Sequence, residues 1–362
     1  RGVVVWLLAT ASGLLAAPVL LHNEATGTSD QFALYWNVDE SKDPAIDVTA
    51  FEFLPRNYTQ VGNGCSNPGC GSWTQGLWPT IKDDGTPING GVPQAANLTA
   101  HLEAIRETLP KWIPDPNWQG NAVYDFEAWT TVWDLNVSPD NWHGQRYRDY
   151  SVKLVKEAHP SWNSSEIEAA AKAAFEKAAT EWFVESLLVG RELRPQARWG
   201  FYGLPANHFT PCTGQGSGTK CGYDGPNGAL WRSHSDQQLP IWQASTALFP
   251  SIYISTSMSN IDLAHAYISS TVTETVRCAT MVNSSFPLPV FSYAWHYFHN
   301  GQELLPVSYV TASLQGTALG GAQGVVVWGG SHLNASYWDW LNNTGGPVTK
   351  RWCDVRGGCA QY

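Results

Sequence analysis

From Phe32 to Gly330, short apolar runs alternate with helix-forming stretches, and this alternation limits the possible folds more than any other feature of the 362-residue chain. Phe32 to Val38 (FALYWNV), Ala45 to Phe53 (AIDVTAFEF), Ala122 to Phe126, Arg198 to Tyr202, Ile252 to Ser255, Pro289 to Tyr293 and Gly324 to Trp328 have the length and the β-branched and aromatic content of buried strands. Between them, Ala95 to Leu109, Asp149 to Ala158, Ser165 to Gly190, Asp262 to Ala279 and Ser308 to Leu319 have helical composition. In the third of these, Ser164 or Ser165 is placed to cap the helix, Glu166 and Glu168 favour its positive end, and Gly190 stops it. Strands alternating with helices imply an α/β fold with a mainly parallel sheet, and a closed barrel of β/α units suits this length better than an open sheet. In such barrels the chemistry sits where strands end and loops begin.

Composition narrows the function classes. Charged residues are 14% of the chain and aromatics 12%, with 19 Trp, which excludes a disordered chain or a coiled coil and leaves the Trp as core filler or as flat surfaces for sugar rings. The 21 Lys and Arg against 31 Asp and Glu, a net charge of −10 without a basic run, argue against a nucleic-acid partner. Residues 1–20 have the layout of a secretory signal peptide, a lone Arg1, an apolar run and small residues, and are too short to read as a stable membrane insertion.

Sequons at Asn57, Asn97, Asn136, Asn163, Asn283, Asn334 and Asn342 point the same way, to a glycoprotein of the secretory route, extracellular, lysosomal or at the cell surface. The cysteines fall into close pairs, Cys65 with Cys70, Cys212 with Cys221 and Cys353 with Cys359, which we read as local disulfides, with Cys278 left as a buried thiol. Zinc is the competing reading, weakened by the lack of any CxxC and of a His at ligand spacing. Nothing calls for a metal or organic cofactor, and nothing indicates the oligomeric state.

The sharpest local feature is NAVYDFEAW, Asn121 to Trp129. Side chains two apart on a strand share a face, so Asp125 and Glu127 project together from a strand's C-terminal end. Two acids held so close keep one proton to a higher pH, and a carboxyl protonated near neutrality is what glycosidic cleavage asks of its general acid. A loop-capping Asp beside a solvated Glu is the bland alternative; Tyr124, Phe126, Trp129 and Trp133 weigh against it by building an apolar wall. Tyr202 in RWGFYGLP and Tyr253 in FPSIYIS close two other strands, either as core rings or with hydroxyls in reach of a substrate. GVVVWGGS delivers Trp328 and then two glycines that let a ligand approach the backbone.

Taken in order, YWNV (35–38), DGTPINGGVPQ (84–94), YDFEAWT (124–130), RWGFYGLP, LFPSIYI (248–254) and GVVVWGG resemble the animal and venom hyaluronidase family of glycoside hydrolases. The resemblance implies a distorted (β/α) TIM-like barrel forming a single domain over 25–345, with a short Cys-containing tail at 346–362. It implies a retaining, substrate-assisted endo-β-N-acetylhexosaminidase, whose nucleophile is the substrate's own N-acetyl oxygen. Carried over by residue, Glu127 matches the acid/base and Asp125 the carboxylate that orients it and steadies the acetamido-derived charge. Tyr202 matches the Tyr that positions the N-acetyl group, Tyr253 a substrate-contacting Tyr, Trp328 the pocket Trp, and Ser331 a serine contacting sugar. Trp129 and Trp78, the latter where many members have a Tyr, are placed beside Trp328 as sugar-facing surface.

Two departures bear on substrate and architecture. Thr271 stands where the family usually has an Arg, and the Cys that often follows YWNV is absent. The implied substrate is a glycosaminoglycan-like polysaccharide such as hyaluronan or chondroitin, with a less acidic, chitin-like N-acetylhexosamine polymer as the second reading and a catalytically silent carbohydrate binder as the third.

Overall fold

The computed structural model describes residues 31–38, 46–63, 75–138, 144–206, 222–258, 260–299, 301, 303–329 and 333–360. Ser331, Cys65, Cys70, Cys212, Cys221 and residues 1–20, where a leader was expected, lie outside them. The strands are β1 (Ala33–Asn37), β2 (Thr59–Asn63), β3 (Thr80–Ile81), β4 (Pro87–Ile88), β5 (Asn121–Asp125), β6 (Arg198–Phe201), β7 (Phe291–Trp295) and β8 (Gly324–Trp328). Two parallel sheets, β1-β8-β7 and β2-β5-β6, form the barrel wall, and β3 and β4 make a small antiparallel hairpin outside it.

The two sheets meet at both margins. Leu54, ahead of β2, accepts from Trp36 N at 2.9 Å and donates to Leu34 O at 2.7 Å. On the far side Leu248 to Ile252 bridges β6 to β7: Gly203 N donates to Phe249 O, while Phe291 N and Tyr293 N donate to Leu248 O and Pro250 O. The result is a closed, distorted α/β barrel. Pro250 explains why this stave is a chain of single bridges rather than the strand expected at Ile252 to Ser255, since proline cannot donate to a ladder.

Helices α1 (Leu98–Trp112), α2 (Gln145–Ala158), α3 (Ser164–Leu193), α4 (Pro226–Gln237), α5 (Leu239–Ala244), α6 (Ile261–Val282) and α7 (Val307–Leu319) cover the wall, followed by α8 (Ala335–Trp340) and α9 (Gly346–Val355). In α3 the cap is Asn163, not a serine: Asn163 Oδ1 accepts from Ser165 N and Glu166 N, and Glu166 Oε2 returns a bond to Asn163 N. Gly190 does not stop that helix, which runs on to Leu193. A Cβ there would stand 2.8 Å from the Trp199 ring, so Gly190 lets α3 approach β6 closely.

Of the stretch Ala45 to Phe53, expected as a strand, the described residues 46–53 form none. Asp47 Oδ1 accepts from Thr49 N and turns Val48–Phe51 into a short 3₁₀ helix, which Glu52 closes in the left-handed region at φ 69°. Strand β2 (TQVGN) was not expected, because it lacks an apolar run; Gly62 is pressed against Trp112 and Gln75, where a Cβ would come within 2.9 Å and 2.7 Å. Cys353 and Cys359 are disulfide-bonded, and Cys278 is a buried free thiol 3.8 Å from Glu274 Oε1.

Six of the seven sequon asparagines are exposed. Asn97, Asn163 and Asn334 cap helices through Oδ1, which leaves Nδ2, the atom a glycan modifies, directed away from that bond. Asn136 corrects the expectation: it is 0% exposed, and its Nδ2 donates to Thr130 O and Val132 O, both at 3.0 Å. A glycan on that nitrogen would replace one of the two donating hydrogens and has no outlet from the buried site. Peptide mapping of protein secreted from a glycosylating host should find Asn136 unoccupied, and occupancy in folded protein would contradict this packing.

Candidate active site

The barrel interior is built from residues of one strand parity. Ala33 and Tyr35 on β1, Val123 on β5, Phe291 and Tyr293 on β7 and Val326 on β8 form one buried cluster with Leu54, Ala247 and Phe249. Stepping two residues further along each strand brings Asn37, Asp125, Trp295 and Trp328 to the C-terminal mouth, where register pairs Trp328 with both Asn37 and Trp295. At the other end Arg198 plugs the floor, its Nε on Asn121 Oδ1 and its NH2 on the Tyr35 hydroxyl. An apolar plug thus separates the floor from the acids above it.

Two adjoining cavities open at the mouth. One, of about 340 Å³, is lined by Asn37, Asp125, Tyr293, Trp295 and Trp328 among others. The other, of about 430 Å³, is lined by Phe126, Trp129, Thr130, Leu204, Met258 and Tyr267 among others. Glu127, Tyr202, Tyr253 and His299 line both, so Glu127 stands on the wall between them.

Burial, and then the charge of Glu127 and a hydrogen bond to it, push the Asp125 carboxyl up from 3.8 to about 8. Asp125 Oδ1 has no hydrogen-bond partner among the described residues. The sequence expected the pair to retain a proton toward neutrality, and the burial of Asp125 beside Glu127 supplies the physical cause. The pair therefore enters neutral solution with one shared proton.

Tyr202, Tyr253 and Trp328 all reach the mouth, as their strand ends suggested. The Tyr202 hydroxyl bonds Tyr253 and lies 3.4 Å from Ser251 Oγ. The Tyr253 ring lies nearly parallel to Trp328, with centroids 5.9 Å apart, and Trp295 meets Trp328 edge-on at 5.1 Å. Trp78 does not reach it. It is 0% exposed, stacked on Phe126 at 4.2 Å, and its Nε1 donates to Gln75 O, so it supports the wall from behind. Trp129 is equally buried, with Nε1 on Pro79 O, and offers the larger cavity only a backing surface. Thr271 is buried on α6 and lines neither cavity; Tyr267, one turn earlier, does.

Sequence reasoning missed Asn37, Tyr293, Trp295, Met258, Tyr267 and His299 as lining residues. For Trp295 a signal existed, since it ends the apolar run PVFSYAW as Trp328 ends GVVVW.

A model of the hyaluronidase family matches residues 30–340. The chain belongs to the hyaluronidase family. Hyaluronidase-1 of Mus musculus is 33% identical over 287 residues, 78% of this chain and 59% of that protein. Hyaluronidase-1 of Homo sapiens is 32% identical over 302 residues, 82% of this chain and 67% of that protein. The chain thus spans roughly three-fifths to two-thirds of these relatives' lengths. Among solved structures, bee venom hyaluronidase in complex with a hyaluronic acid tetramer superposes with a TM-score of 0.76 at 26% identity, covering 89% of this chain and 99% of that one. The family's barrel is accordingly the fold of this chain. No helix among the described residues is long and apolar enough to cross a membrane.

Proposed function

We propose that this hyaluronidase-family chain is a secreted endo-glycosidase that hydrolyses β-N-acetylhexosaminidic bonds within a polysaccharide by retaining, substrate-assisted catalysis. The observation that carries this is the position of Glu127 between two cavities with a protonated Asp125 beside it. The N-acetylhexosamine occupies the smaller cavity, against Trp328 and Trp295, with its acetamido group toward Asp125 and the Tyr202 hydroxyl. The next sugar extends past Glu127 into the larger one.

Glu127, receiving the shared proton through its hydrogen bond with Asp125, gives it to the glycosidic oxygen. The acetamido oxygen attacks C1 from the opposite face as the C1–O bond breaks, forming an oxazolinium ring. Asp125, now anionic, accepts from the ring N–H and balances its charge. Water, deprotonated by Glu127, then opens the ring at C1, so two inversions leave the anomeric configuration unchanged. The relatives' names point to hyaluronan as the polymer, and the exposed sequons and leader-like first residues support a secretory route. Proton NMR of the first product formed should detect the β-anomer ahead of mutarotation; initial release of the α-anomer would rule out this mechanism.

A further inference from the structure

We infer that the larger cavity, on the leaving-group side of Glu127, is built for an uncharged sugar, so that the preferred polymer carries no carboxylate on the unit released at the scissile bond. This rests on the hydrolytic reading above and specifies its substrate. Asp125 lines only the smaller cavity, which assigns the acetamido-bearing sugar there and the leaving sugar to the larger one. The larger cavity's wall is apolar at Phe126, Phe183, Leu204 and Met258, and apart from Glu127 and His299, which it shares with the smaller cavity, its polar side chains are hydroxyls. Among these, Thr130 is 2% exposed and its Oγ1 has no partner among the described residues, so a buried hydroxyl on the cavity wall is left for a hydrogen bond from a ligand, without a charge beside it.

No Lys or Arg is among the described residues lining either cavity. Arg198 is spent on Asn121 and Tyr35 at the floor, and Arg277 on Glu274 and Asp236. Beyond residue 30, the residues not described bring two lysines, Lys42 and Lys220, against four acids, Asp39, Glu40, Asp43 and Asp140. A uronate seated beside Glu127 and Asp125 would meet two carboxyl groups sharing one proton, within a protein of net charge −10, with no described cation to offset it.

The probe is one polymer in two charge states: native hyaluronan and hyaluronan whose carboxyl groups have been reduced to alcohols, with N-acetylglucosamine oligomers as a third substrate. The expected result is a kcat/KM about tenfold or more higher on the carboxyl-reduced polymer than on the native one, with the native value rising as salt screens the repulsion. Met258→Lys, at the half-exposed lip of the larger cavity, should raise kcat/KM on native hyaluronan and lose that gain in high salt. Equal or faster cleavage of native hyaluronan by the unaltered protein, or no gain from Met258→Lys, overturns the inference while leaving the hydrolytic reading standing. Release of no reducing ends from any of the three overturns that reading and the inference with it.

Discussion

Glu127→Gln should lower kcat/KM by about 10²–10⁴-fold, the contribution of a positioned acid/base, with the thermal midpoint little changed. The amide keeps the shape of the side chain but can neither deliver a proton to the glycosidic oxygen nor take one from water. Glu127 is half-buried on the wall between two cavities rather than in the close-packed interior, so its loss removes chemistry before it removes packing. Reducing-end release by the purified variant, followed beside its melting curve, separates these effects. Undiminished cleavage would remove Glu127 from the mechanism, and loss of the folded transition would make the residue structural.

Asp125→Asn should lower activity to a similar degree and also raise stability near neutrality, the first outcome reporting the chemistry and the second the desolvation of the carboxyl. The Asp125 carboxyl titrates near 3.8 when unfolded and at about 8 in the folded chain. Between those values the unfolded chain releases a proton that the folded chain still holds. Stability associated with this group is therefore fully present below about pH 4 and is lost as pH rises through about 8. Replacing the carboxyl with an amide of the same shape removes that loss. The variant's Tm should exceed the parent's at pH 7.5, by roughly 1–2 °C for each kcal/mol relieved in a domain of this length, and the two should converge at pH 4. Parallel Tm curves across that range would show that Asp125 is not the group carrying the proton. A site that gains stability when its acid is removed is one in which packing has been set aside for chemistry.

The bearing on substrate is an electrostatic one. Two carboxyls sharing a proton over an apolar plug suit the positive charge of an oxazolinium intermediate in the smaller cavity, and the same arrangement repels an anionic sugar in the larger one. A chain can keep this acid pair while the neighbouring cavity changes, because the pair is held by a strand end and the larger cavity is lined by residues from several loops and helices.

How much was legible beforehand depended on how local the determining interaction was. The strand β5 ending in Asp125 two residues before Glu127, the long helix α3 and the closing strand β8 were all readable, since an apolar run, a helix-capping stretch and a turn act within a few residues of chain. Parity alone put Asp125 and Glu127 on one face, and strand ends alone brought Tyr202, Tyr253 and Trp328 forward. What failed was decided by partners distant in sequence. Trp78 and Trp129 have the composition of a sugar platform, and only the packing of Phe126, Phe175 and Phe183 turns them into wall. Asn136 fits a sequon and is sealed by carbonyls of Thr130 and Val132. Strand β2 exists because β5 offers it a ladder, not because TQVGN prefers one.

By itself, then, the sequence determined the barrel and the shared face of Asp125 and Glu127, because alternation and two-residue periodicity are properties of the backbone. Only the tertiary structure decided how strongly Asp125 is desolvated, since that depends on what lies beneath it, and which tryptophans face a ligand, since exposure depends on which rings arrive from elsewhere in the chain.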